Sequence, residues 1–142
     1  MEAACFLLDR GADINSRNDD GDTPLVRACM AGHVEVVRLL LARGADPTLR
    51  DERSWTVLMW ASYLDDIPFC CHVAVIRLLL EDGRVPVDAR NLAGATALWY
   101  ACSQGYTETA RLLLLEGGAD HTIPNNECVT PMAEARQFEH HE

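Results

Sequence analysis

The stretch GDTPLVRACMAGHVEVVRLLLARGAD, from Gly21 to Asp46, holds one complete structural unit. Thr23 followed by Pro24 starts a helix: the hydroxyl accepts a bond from an orphan backbone N–H, and the proline ring suits the first helical turn. This helix is short and ends near Gly32. A second apolar periodic run begins at Val34, with Val36, Val37, Leu39, Leu40 and Leu41 as its stripe, and ends at Ala42. Gly44 then supplies a left-handed cap, and Ala45-Asp46-Pro47 leads through an extended segment to the next turn.

The same pattern recurs along the chain. Thr23, Thr56, Thr96 and Thr130 fall 33, 40 and 34 residues apart, and Gly11 and Gly44 are 33 apart. A fixed period of about 33 residues is the signature of a stacked repeat architecture. That period, the T-P-L-x-x-A start at Thr23 to Ala28, the G-H-x-E-V-V at Gly32 to Val37 and the G-A-D endings at Gly11 and Gly44 resemble the ankyrin repeat family, over nearly the whole chain. The resemblance implies an all-α solenoid of helix-turn-helix pairs joined by β-hairpin or turn fingers.

Read in order, residues 1–17 hold only the end of a repeat, CFLLDRGADINSR, without its first helix. A lone second helix cannot bury its apolar side, so the expectation is a fragment of a longer chain. Residues 18–50, 51–90 and 91–124 read as full repeats, and 125–142 as a partial one. The 51–90 unit departs most: Ser54 takes the turn-glycine position, Val57 stands where proline would begin the helix, and six extra residues fall within Asp65 to Cys71. Longer loops in such proteins lie on one face and are frequent binding elements.

Composition narrows the environment. The chain of 142 residues has no apolar run approaching the ~18 residues of a membrane span, and its first residues do not form a signal peptide. A net charge of −10 disfavours nucleic acid, whose phosphates require Lys and Arg. It favours a protein partner with a basic or amphipathic segment. Cys29 and Cys102 occupy one core position in two repeats, so the six cysteines do not read as a disulfide framework, and an intracellular, reducing compartment is expected, cytoplasmic or nuclear. Cys70, Cys71 and His72 lack zinc-site spacing, so no metal is expected. No nucleophile elbow, phosphate-binding glycine loop or H-E-x-x-H occurs, so neither catalysis nor a cofactor is expected.

Binding remains, and helix geometry locates it. Leu25, Ala28 and Cys29, with Leu58, Ala61 and Ser62, and Leu98, Ala101 and Cys102, set the buried side of the first helices. At 100° per residue, Arg27 and Met30, Trp60 and Tyr63, and Tyr100 and Ser103 point the other way. Trp55 adds a ring near a finger tip, and the tips carry Asp20, Asp22 and Arg53. The resemblance implies that this side is the concave surface gripping partner proteins. Aromatic residues are enriched at interface hot spots. For Trp60 and Tyr100, packing between repeats, with Arg27 over a ring, stands as an equal reading.

Two further points come from the resemblance. The family's frequent His after the helix-opening leucine is replaced by Val26, Met59, Trp99 and Ala133, which puts the polar network between fingers in doubt. Leu7, Asp13 and Asn15 match the spacing of an asparaginyl hydroxylation site, which implies Asn15 as a substrate position. The reading is a non-catalytic protein-interaction scaffold; the alternative is a structural segment packing against other domains of a longer protein.

Overall fold

Four threonines set the first helices. Thr23, Thr56, Thr96 and Thr130 accept, through Oγ1, the N–H three residues on at 3.2–3.3 Å. The computed structural model, which describes residues 2–63 and 68–139, places after these caps helices α2 (Pro24–Met30), α4 (Val57–Tyr63), α6 (Ala97–Ser103) and α8 (Pro131–Glu139). Second helices are α3 (Val34–Ala42), α5 (Phe69–Asp82) and α7 (Thr107–Leu115), and α1 (Glu2–Asp9) precedes them all. Each of α2, α4 and α6 packs against the second helix of its own repeat. The first helices α2, α4, α6 and α8 form an inner row, and α3, α5 and α7 an outer one.

The core lies between the two rows. Leu25, Ala28 and Cys29 are buried, as are Leu58, Ala61 and Ser62 and then Leu98 and Ala101, while Cys102 is half-buried. From the outer row come Val37 and Leu40, then Ile76 and Leu79, then Leu112 and Leu113. Burial of such side chains is the main stabilising term of a stacked repeat. Leu7 holds on α1 the place of Leu40 and Leu79, yet is 57% exposed, because none of the described first helices lies over it.

The part of the Asp65 to Cys71 insertion at residues 65–67 lies outside the described residues. Beyond Pro68 the chain is helical: α5 has 14 residues against nine in α3 and α7, and Phe69 begins it four residues ahead of Val73, the counterpart of Val34. Pro68 precedes the first turn, and its carbonyl accepts from Cys71 and His72 at 2.9 and 3.1 Å. The His72 ring lies edge-on to Tyr106, 5.1 Å between centroids. No helix among the described residues is long and apolar enough to cross a membrane. Cys5, Cys29, Cys102 and Cys128 form no disulfide, and burial raises the Cys102 thiol to about 11.

The fingers are tight turns, and no strand forms among the described residues. A side-chain clasp explains this. Asn18 Oδ1 accepts the N–H groups of Asp20 and Asp22, Asp51 those of Arg53 and Trp55, Asn91 those of Ala93 and Ala95, and Asn125 those of Glu127 and Val129, all at 2.9–3.1 Å. Donors that would have entered a ladder are thereby used locally. In each turn the third residue after the clasp has φ > 0: Gly21, Ser54 (61°), Gly94 and Cys128 (63°).

Arginine ties one finger to the next. Arg17 Nη1 donates to the Arg50 carbonyl at 2.6 Å, Arg50 Nη1 to that of Arg90 at 3.0 Å, and Arg90 Nη2 to that of Pro124 at 3.0 Å. Arg53 and Ala93 carbonyls also accept from Leu92 and Asn126 N–H across adjacent tips, at 3.2 and 2.9 Å. The polar connection placed in doubt by the missing histidines is therefore present, made by other residues. All twelve residues of the lysine-and-arginine total are arginine; the chain contains no lysine.

Candidate functional site

The candidate face is built where the inner helices meet the fingers. Helix α4 presents Trp60 and Tyr63 four and seven residues after its cap Thr56, and α6 presents Tyr100 four after Thr96. Trp55, on the finger arm, enters between them. Its ring lies 4.5 Å from Trp60 and 4.4 Å from Tyr100, tilted by 34° and 32°, so three rings form a stack spanning two helix pairs. Tyr63 meets Trp55 and Tyr100 edge-on at 5.4 and 5.5 Å and is 40% exposed. Offset and edge-on arrangements are those that aromatic quadrupoles favour.

Each inner ring is pinned to the clasp of its own finger. Trp60 Nε1 donates to Asp51 Oδ2 at 3.1 Å, and Asn91 Nδ2 donates to the Tyr100 hydroxyl at 2.7 Å. Tyr100 is only 8% exposed, and burial raises its phenol above the ordinary value, against the Asn91 bond. The rings thus both pack and face the groove: Tyr100 is buried, Trp60 and Trp55 are half-buried, and Tyr63 is the outermost. Ser103 is half-buried, its hydroxyl bonded to the Tyr100 carbonyl at 2.9 Å.

Beside the stack, between α2, α4 and two finger tips, lies a notch of about 310 Å³. Trp60 and Met30 line it together with Arg27, Arg53 and five carboxylates, those of Asp19, Asp20, Asp22, Asp51 and Glu52. Asp22 is 6% exposed, and its contact to Arg27 Nη1 is long, at 3.8 Å. Burial raises its carboxyl above the usual range, and the negative charges of Asp20 and Asp51 add to this against Arg27 and Asn18. Arg27 reaches towards Asp22; the cation seated over a ring among the described residues is Arg10, 5.0 Å above Phe6.

The structure therefore gathers Asp20, Asp22, Arg27, Met30, Arg53 and Trp60 around one notch and Trp55, Tyr63 and Tyr100 around one stack. Asp19, Asp51 and Glu52 also belong to the notch, and helix geometry alone does not single them out. The available signal is position: Asp51 stands five residues before Thr56, as Asn18, Asn91 and Asn125 stand before their threonines. Asn15 lines neither the notch nor the ring stack; its Oδ1 accepts the Asp46 N–H at 2.9 Å.

A family profile described as ankyrin repeats in three copies matches residues 1–83 and 69–125. The ankyrin repeat and KH domain-containing protein mask-1 of Caenorhabditis elegans is 37% identical over 136 residues, 94% of this chain and 5% of that protein. Mouse ankyrin repeat domain-containing protein 63 is 37% identical over 104 residues, 71% of this chain and 25% of that protein. The Arabidopsis thaliana E3 ubiquitin-protein ligase KEG is 34% identical over 130 residues, 89% of this chain and 8% of that protein. The chain thus spans a quarter or less of each of these relatives. Period, capped helix pairs, finger clasps and these matches agree, and the chain belongs to the ankyrin repeat family.

Proposed function

We propose that this ankyrin-repeat segment is a non-catalytic recognition module that binds a protein segment along its concave face. The observation carrying this reading is the aromatic stack, which ends in an exposed Tyr63 and adjoins an acidic notch on the same face. Aromatic anchors beside polar rims are the usual anatomy of a protein interface. The test is hydrogen exchange of the chain with and without a purified binding protein, alongside a Tyr63→Ala variant checked by circular dichroism. Protection confined to the inner helices and fingers, and loss of binding with the fold intact, is the expected result. Protection confined to α3, α5 and α7 would sink the reading.

A second reading is favoured by the small share of each relative that the chain spans: the repeats pack against other parts of a longer protein. The same exchange measurement on the longer protein separates the two. Concave-face amides already protected without any partner would favour the second.

A further inference from the structure

The notch between α2 and α4 is a concave, unpartnered surface with a charge imbalance. Five carboxylates face two guanidiniums across about 310 Å³, and one of the two, Arg27, is directed at Asp22. One wall differs from the rest. Trp55 packs against the Trp60 indole at 4.5 Å, the Trp60 N–H is committed to Asp51, and Trp60, half-buried, lines the notch. What the site offers is thus an aromatic plane beside carboxylate acceptors, with Met30 as an apolar contact for an alkyl stem.

We infer that this notch seats the guanidinium of an arginine side chain from a partner polypeptide, stacked on Trp60 and bonded at its edge to carboxylates of the two finger tips. The inference rests on the recognition reading of the concave face and names its anchor. Charge complementarity selects a cation. A planar fork that stacks on a ring while donating to two carboxylates selects arginine over lysine, whose ammonium is a compact, strongly hydrated point charge. The rest of the bound segment then runs along the stack towards Tyr63, where the tips change from acidic to apolar at Leu92 and Ala93. The notch lies at the end of the concave face nearer α2, so it fixes the direction in which the segment lies.

The test is selection of displayed random twelve-residue peptides on the 142-residue chain, followed by calorimetric titration of the enriched peptides. Enriched sequences are expected to share one arginine. Replacing it by lysine should weaken binding by about threefold to fivefold, the order of a lost ring–guanidinium contact. The Asp20→Asn/Glu52→Gln variant, which alters only exposed carboxylates, should weaken the arginine peptide at least about fivefold and flatten its salt dependence. Peptides without a shared arginine that still lose affinity on Tyr63→Ala would overturn the notch and leave the recognition reading standing. Peptides indifferent to both variants would overturn both. Equal binding of the arginine and lysine peptides would reduce the notch to general cation attraction and overturn the stacking assignment.

Discussion

Asp51 holds three donors with one carboxylate: Oδ1 accepts the N–H groups of Arg53 and Trp55, and Oδ2 accepts Trp60 Nε1–H at 3.1 Å. Forty residues later Asn91 keeps the two backbone bonds but turns its amide donor to the Tyr100 hydroxyl, so acid with indole and amide with phenol are matched pairs. Asp51→Asn is expected to set an amide donor against the indole donor, or lose the clasp on flipping, at about 1–2 kcal/mol. Adding Trp60→Tyr rebuilds the 91/100 pair, and urea unfolding of the four proteins should give a favourable coupling of about 1 kcal/mol. Additive effects would show that the two residues do not act as a pair.

Two turns carry a side chain where two others carry glycine. Ser54 and Cys128 have φ of 61° and 63°, a conformation disfavoured for L-residues by about 1–2 kcal/mol. Ser54→Gly and Cys128→Gly should each stabilise, by about 0.5–1 kcal/mol after the entropy that glycine adds to the unfolded chain. Thermal or urea unfolding of each variant measures this. Gly94→Ala should do the reverse and by more, about 2 kcal/mol or above. Its new Cβ would lie 2.8 Å from both Arg90 Nη2 and the Asn126 backbone nitrogen, striking the tie between two fingers as well as incurring the φ penalty.

Between successive repeats, Asn15 Oδ1 accepts the Asp46 N–H and Asp88 Oδ1 that of Asp120, at 2.9 and 2.8 Å. At the seam between these two, the counterparts are Thr48 and Pro86, and proline has no N–H to give. Trp55, on the finger that carries Thr48, stacks on Tyr100 of α6, the helix that follows the finger carrying Pro86. Thr48→Asn with Pro86→Ala should therefore show a favourable coupling of about 1 kcal/mol in a double-mutant cycle, against Pro86→Ala alone, which loses the rigidity of the ring.

Asp22 and the pair Asp46 and Asp120 should respond to acid with opposite signs. Thr48 and Thr122 bond the carboxylates of Asp46 and Asp120 through side chain and backbone, which holds both below the usual carboxylate range. Their contribution is complete above pH ~4 and is lost as pH falls through the lowered folded values. Asp22 is raised, so its ionised form disfavours the fold at neutral pH and protonation relieves this on the way down. Asp22→Asn is accordingly expected to be the more stable chain at pH 7, with the advantage shrinking towards pH 3. Thermal melts across that range would show it, and a constant difference would argue against a titrating Asp22. A carboxylate held where it costs stability is consistent with a binding role for the notch.

Much of this architecture is legible in the residues. The threonine period, the glycines past each second helix and the apolar stripes specify local structure through capping and periodicity, and the structure follows them. The finger connections are less visible because they join residues a whole repeat apart. Arg17, Arg50 and Arg90 each stand six residues before a cap threonine, the same spacing that identifies the repeats, but only stacking turns that regularity into bonds. The aromatic face shows a different limit. A helical wheel places Trp60 and Tyr100 away from their own partner helices, but it carries no information about Trp55 arriving from a finger to fill the space between them. The insertion is legible as extra length and not as the added helical turn at Phe69.

The arginine ladder, in a chain without lysine, gives the fingers a chemical constancy. No side chain in these 142 residues offers a primary amine, so enzymes that acylate lysine or attach ubiquitin to it find no acceptor on any repeat. Guanidinium stays charged across the physiological range, and the rungs from Arg17 to Pro124 therefore hold whether the cell is acetylating its proteins or marking them for destruction.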